Sequence, residues 1–178
     1  MKRLVLFVLA SIILAGCQNT ILQTTQAEDI LQNVDIESYL TSEIGITGSN
    51  GVVFCAYDIL FAEQDAHQIV IYLWVLCQEY YQEQQILKLG TGISLPVAVF
   101  IGNENDDFSI LNCRIPSDMN YAKDIKDIFP RSVRAKFAGR NSSEIADYNK
   151  RIRNLERIAE SKAQKYFNVE DIERLPNY

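Results

Sequence analysis

Gln68-Ile69-Val70-Ile71-Tyr72-Leu73-Trp74-Val75-Leu76-Cys77-Gln78-Glu79-Tyr80-Tyr81 is the stretch that decides the fold. Ile69, Ile71, Leu73 and Val75 fall on one face of an extended strand, and Val70, Tyr72, Trp74 and Leu76 on the other. A strand apolar on both faces belongs in the middle of a sheet, with a helix packed on one side and a cover on the other. Working outward, Val52 to Ala62 is a second strand, separated from the first by the polar break Glu63-Gln64-Asp65-Ala66-His67. Gln85 to Ile101 supplies a third, and Pro96 inside it predicts an edge or a bulge there. Gly102 to Asp106 is a hairpin turn, and Phe108 to Ile115 is the fourth strand.

Helices flank the strands. Glu37 to Ile44 reads as a short helix closed by Gly45, before a turn at Gly48-Ser49-Asn50-Gly51. Pro116-Ser117-Asp118 opens another that runs through Phe129 and stops at Pro130. Asn141, with Glu144 three residues on, is a capping box for a longer helix over 141–166. Its stripe of Ile145, Tyr148, Ile152, Leu155, Ala159, Ala163 and Tyr166 predicts docking on its own domain rather than a coiled-coil seam. The expected class is α+β: a curved four-stranded antiparallel sheet with an N-terminal helix and C-terminal helices. By analogy such an order is cystatin-like or NTF2-like, and those folds host binding modules, inhibitors and enzymes alike.

The two long strands make a specific prediction about the cysteines. Directly paired residues of an antiparallel hairpin share a constant index sum, set by the turn. A turn centred on Asp65 and Ala66 gives 131 or 132, and Cys55 with Cys77 gives 132. The same sum places Tyr57 opposite Val75, Ile59 opposite Leu73 and Phe61 opposite Ile71. A Cys55–Cys77 disulfide is therefore expected. Cys113 is the rival partner, and otherwise a free, buried thiol.

The N-terminus carries an address. Lys2 and Arg3 precede an apolar run from Leu4 to Leu14, long enough for a secretory signal and too short to cross a bilayer of roughly 30 Å as a helix. Leu14-Ala15-Gly16-Cys17 follows and resembles the lipobox of bacterial lipoproteins position by position. That resemblance implies removal of residues 1–16, a lipid on Cys17 and a membrane anchor outside the cytoplasm. Two or more acyl chains hold stably where one does so marginally, since each buried methylene contributes roughly 0.8 kcal/mol. Gln18, rather than Asp, follows the cysteine; in a Gram-negative cell that implies the outer membrane, with the protein facing the periplasm. Residues 17–35 then read as a lipidated polar tether, with an early helix through Ile21, Leu22, Ile30, Leu31 and Val34 as the alternative. Residues 36–178 form a single domain.

Charge is unevenly distributed behind the net value of −6. Residues 18–129 carry 16 acidic side chains against four basic ones, whereas residues 130–165 carry ten basic against four acidic. The basic helix is expected to lie against the acidic body rather than to seek lipid or a partner. Nucleic acid is not an expected ligand, because no stacking or glycine-rich motif accompanies the basic residues.

Motifs for catalysis are missing. His67, the single histidine, falls in a predicted turn with no Cys or His at metal-ligand spacing. Asp106-Asp107 with Glu104 lacks the spaced ligands of a calcium loop. Ser94 superficially resembles a nucleophile in Gly90-Thr91-Gly92-Ile93-Ser94 but has no partner histidine. Glu79-Tyr80-Tyr81, with Trp74 and Tyr72 before it, offers the side chains of a pocket lining, but aromatic residues along a long strand are expected in the core. No catalytic residue, metal or cofactor is assigned. Leu73–Tyr81, Gly90–Ala98 and Asp124–Pro130 look similar to a group of uncharacterised bacterial envelope proteins over residues 50–135, which implies no activity. The expected role is a non-enzymatic, lipid-anchored module that binds an envelope protein or a small envelope component. The second reading is an enzyme or inhibitor working from the concave face of the sheet.

Overall fold

The computed structural model describes residues 20–65, 68–104, 107–137 and 141–173. The signal segment, Cys17, His67 and Asp106 lie outside the described residues. The chain is α+β, built on one antiparallel sheet whose strands lie side by side in chain order. These are β1 (Thr20–Ile21), β2 (Val52–Gln64), β3 (Ile69–Glu83), β4 (Ile86–Glu104) and β5 (Asp107–Arg114). The helices are α1 (Thr24–Asn33), α2 (Ile36–Ile44), α3 (Tyr121–Ile128), α4 (Arg131–Arg134) and α5 (Ser142–Phe167).

β3 is central, and its alternation sorts the core into two layers. Ile69, Ile71, Leu73, Val75 and Cys77 pack with Ala27, Ile30 and Leu31 of α1 and Ile36, Leu40 and Ile44 of α2. Val70, Tyr72, Trp74 and Leu76 pack with Phe129, with Val133 of α4 and with Leu155, Ala159 and Ala163 of α5. Each such side chain, fully buried, contributes roughly 1.5–3 kcal/mol of transfer free energy, so neither layer is dispensable. Helices thus cover both faces of the sheet, as the two apolar faces of β3 predict.

Two expectations about the N-terminal part are corrected. The sheet has five strands instead of four, because Thr20 and Ile21 pair with Gln64 and Glu63. A two-residue strand carries no alternation that a sequence pattern can register. The stretch read as a tether is folded from Thr20 onward, and its helical alternative holds over α1. Ala27, Ile30, Leu31 and Val34 recur at helical spacing and are buried, and that burial outweighs the polar remainder of the segment. The backbone N–H of Gln23 donates to the Gln26 Oε1 at 3.0 Å and closes the helix start.

The β2–β3 register also differs in part. Cys55 faces Cys77, Tyr57 faces Val75 and Ile59 faces Leu73, but Phe61 faces Tyr72 rather than Ile71. The turn lies one residue later than the sequence predicts, with Asp65 N–H donating to Gln68 O at 3.0 Å. A bulge at Leu60 absorbs the extra residue. It sends Leu60 and Phe61 to the same layer, where Phe61 stacks on Tyr72 with ring centroids 6.3 Å apart. Ala62 returns to the layer of α1. The two offsets cancel at the cysteines, which lie 4.0 Å apart at Cα and form a disulfide.

Pro96 pairs with Trp74 on the β3 side of β4. On the other side β5 reaches only Ala98, so Pro96 sits where β4 is locally an edge, as its missing N–H requires. α5 is capped by Asn141, whose side chain accepts from Glu144 N–H at 3.0 Å, and ends at Asn168 in the left-handed region. Only the middle of its stripe is in the core. Leu155, Ala159 and Ala163 are buried, while Ile145 and Tyr166 at the ends are 47% and 64% exposed.

Candidate functional site

The outer edge of β2 is the most distinctive surface. β1 covers Glu63 and Gln64, and Leu22 N–H donates to Ala62 O at 3.0 Å. Upstream of these, Val52–Phe61 has no strand on its outer side among the described residues. A bare strand edge invites pairing with another chain, and proteins blunt it with lysines or cover it with a helix. α5 does both. Lys162 Nζ donates to the Cys55 carbonyl at 2.8 Å and pairs with Glu37 of α2 at 2.6 Å, so it reaches around the edge from one layer to the other. Lys136 donates to the Leu60 carbonyl. Arg151 pairs through Nε with Asp58 at 2.8 Å and donates to the Lys136 carbonyl at 2.8 Å. The basic C-terminal segment is thus set against the acidic body at defined points.

Between these contacts lies a cleft of about 340 Å³, lined among others by Thr24, Glu28, Tyr57, Asp58 and Lys162. Burial, then the charges of Glu37 and Glu28, pushes the Tyr57 hydroxyl above its ordinary pKa, so it stays a neutral donor at physiological pH. The cleft offers strand-edge backbone and the side chains of Glu28, Glu37, Asp58 and Lys162, of which Glu37 is paired with Lys162 and Asp58 with Arg151. That is equipment for holding an extended peptide or a cationic group. Replacing Lys162 with Ala should lower stability by about 1 kcal/mol, the discounted worth of a partly exposed charged hydrogen bond. It should also produce concentration-dependent association visible by light scattering, because the Cys55 carbonyl loses its donor.

A second polar constellation lies at the other end of the sheet. Glu79 is 0% exposed and is the single buried charged side chain among the described residues. Its carboxylate accepts from the backbone N–H groups of Gly48 (3.0 Å), Ser49 (3.0 Å), Gly51 (2.8 Å) and Thr91 (3.0 Å), and from Thr91 Oγ1 (2.9 Å). These bonds, led by that from Gly48, lower its pKa to about 2 against the cost of burial. A Cβ on Gly90 would lie 2.3 Å from Glu79 Oε2, so the bulge of β4 needs glycine there. Glu79 ties the loop before β2 to β4. It is a structural clamp, with every position around the carboxylate occupied by a donor of the chain itself.

The other residues singled out from sequence have structural settings. Trp74 and Tyr80 are buried, and the Trp74 indole N–H donates to Ser94 Oγ at 2.9 Å, which gives Ser94 a partner other than a catalytic base. Cys113 is a free thiol, half-buried rather than buried, on β5 opposite Val99. Burial pushes its pKa up, and a hydrogen bond with Tyr39 lowers it in part. Of Cys55, Cys77 and Cys113, alkylation without reduction should therefore modify Cys113 alone, and slowly until the chain is denatured; peptide mass spectrometry reads the site. Among the described residues no group of three or more His, Cys, Asp or Glu side chains is placed to hold a metal ion, and no helix is long and apolar enough to cross a membrane.

Sequence reasoning missed Glu37, Asp58 and Lys162, because ion pairs between distant segments leave no local pattern. Glu79 did carry a signal: an acid at the end of a two-faced apolar strand, with glycine-rich segments at 48–51 and 90–92. Comparison with protein-family models, curated proteins and solved structures finds no match to this chain.

Proposed function

We propose that the chain is an envelope lipoprotein, anchored through lipid on Cys17 outside the cytoplasm, and that its folded domain is a non-enzymatic binding or accessory module. In a Gram-negative cell the anchor would sit in the outer membrane, with the domain in the periplasm. The observation that supports the compartment is the Cys55–Cys77 disulfide, which joins two buried cysteines of one hairpin. Such bonds persist in oxidising compartments and are rare in the cytosol.

The binding reading rests on what the packing leaves open. Helices pack on both faces of the sheet, which supports a binding surface at its edge over an enzyme or inhibitor working from one face. The cleft on the β2 edge is one of several recesses among the described residues, and it is the one lined by strand-edge backbone and charged side chains together. Between the points where Lys162 and Lys136 cap the edge, the strand backbone suits a short extended segment of an envelope protein, which would add main-chain hydrogen bonds there.

Replacing Cys17 with Ser tests the anchor. The variant should accumulate as unprocessed precursor or leave the membrane fraction, and should lose incorporation of a palmitate analogue. Undiminished labelling in the variant overturns the reading.

A further inference from the structure

Resting on the strand-edge reading proposed above, we infer that Lys162 is a latch across a longer groove on β2, and that the groove takes an extended peptide segment with a Lys or Arg side chain turned toward α1 and α2. Cys55 and Cys77 lie 4.0 Å apart at Cα, the close spacing of a pair that exchanges no ladder hydrogen bonds. The N–H and C=O of Cys55 therefore point away from β3, and Lys162 donates to that carbonyl. By the two-residue period, Val53 and Tyr57 turn their N–H and C=O groups to the same outer side. Two recesses lie along this edge. One, of about 340 Å³, is lined by Tyr57, and the other, of about 370 Å³, by Val53 and Cys55; Glu37 and Lys162 line both. Lys162 thus divides one groove, and its departure joins the halves over residues 53–57.

The latch is held by little. The Lys162 and Glu37 side chains are 29% and 51% exposed, and an ion pair so open to water contributes only weakly. An incoming strand replaces both of its contacts: a main-chain N–H takes the Cys55 carbonyl, and a cationic side chain takes Glu37. Charge decides which side chain fits. A strand residue beside Tyr57 turns its side chain to the layer that Tyr57 occupies, that of α1 and α2. There Glu28 and Glu37 line the recess, and Glu28 has no ion pair of its own among the described residues. An anionic residue meets two carboxylates, and a neutral one leaves Glu37 without the partner that it loses with Lys162. Lys or Arg answers both. Lys136 and Arg151 reach the edge from the opposite layer, so the cation has one side to choose.

The probe is acetyl-Thr-Val-Thr-Lys-Thr-Val-Thr-amide with a benzophenone at one end, offered to the full-length chain in dodecyl maltoside micelles. A Glu counterpart and a copy with alternate amides N-methylated are the controls. Cross-linking is followed against probe concentration up to millimolar, with the protein dilute enough to be monomeric by light scattering, and peptide mass spectrometry maps the adducts. The expected adducts fall on β2, α1 and α2, with the Lys probe binding severalfold more tightly than the Glu probe and the N-methylated copy failing. Lys162→Met should tighten the Lys probe by about fivefold, and Glu28→Gln should weaken it. Glu28 is exposed, so the second variant tests the charge apart from the fold. Equal binding of the Lys and Glu probes at the β2 edge overturns the inferred specificity and leaves the strand-edge reading standing. An unchanged affinity in Lys162→Met overturns the latch alone. Undiminished binding of the N-methylated copy, or no adduct at the edge in wild type and variants alike, overturns the inference and the strand-edge reading together.

Discussion

Replacing Glu79 with Gln should lower the melting temperature by about 10 °C, the scale expected when a buried hydrogen-bonded network in a domain of this size is broken. The substitution keeps the shape and removes the charge. An ionised carboxylate accepts from all sides, whereas an amide presents one oxygen and an NH2 that confronts donors with donors. At least one N–H among those of Gly48, Ser49, Gly51 and Thr91 then loses its acceptor inside the protein, and the loop before β2 loosens from β4. Thermal unfolding followed by circular dichroism measures the shift, and an unchanged midpoint would mean that the clamp contributes nothing.

The same residue sets an acid dependence. Its folded pKa, about 2, lies below its ordinary value of 4.5. Between those values the unfolded chain binds a proton that the folded chain does not, so stability rises with pH there. Glu79 therefore contributes its full stabilisation above about pH 4.5 and loses it as pH falls toward 2. In the Gln variant the pH slope over that window should be shallower than in the wild type. Equal slopes would assign the acid sensitivity to other carboxylates.

Replacing both Cys55 and Cys77 with Ala should cost about 3 kcal/mol, the loop-closure entropy of a link across some 22 residues. In a chain of this size that corresponds to a melting temperature lower by roughly 6–12 °C. Because the cysteines are buried in the layer shared with α1 and α2, part of the loss also comes from two vacated sulfur positions. Denaturant melts of the oxidised wild type, the reduced wild type and the double variant separate the two contributions. If the reduced wild type matches the oxidised one, the link stabilises nothing.

How much of this was legible in the sequence depends on how far apart the interacting residues lie. β3 was legible because Ile69 to Leu76 is apolar on both faces, and both layers of the core follow from it. The disulfide was legible through an index sum, although the path to it contained two errors that offset each other. The turn fell one residue late, and the bulge at Leu60 returned the register. Bulges are set by what each face must pack, here Phe61 on Tyr72, and alternation alone does not reveal them. β1 was illegible, since two residues show no period and their pairing with Glu63 and Gln64 is a tertiary choice. The cleft was illegible for the same reason: Glu37, Asp58, Arg151 and Lys162 come from three elements, and only the overall imbalance of charge hinted that they meet.

The central claim, a lipid-anchored chain that begins at Cys17, is tested most directly by the mass of the N-terminal peptide from protein extracted from native membranes. The expected peptide starts at Cys17 and carries a thioether-linked diacylglyceryl group, with residues 1–16 absent. A peptide that retains residues 1–16, or one with Cys17 unmodified, would contradict it.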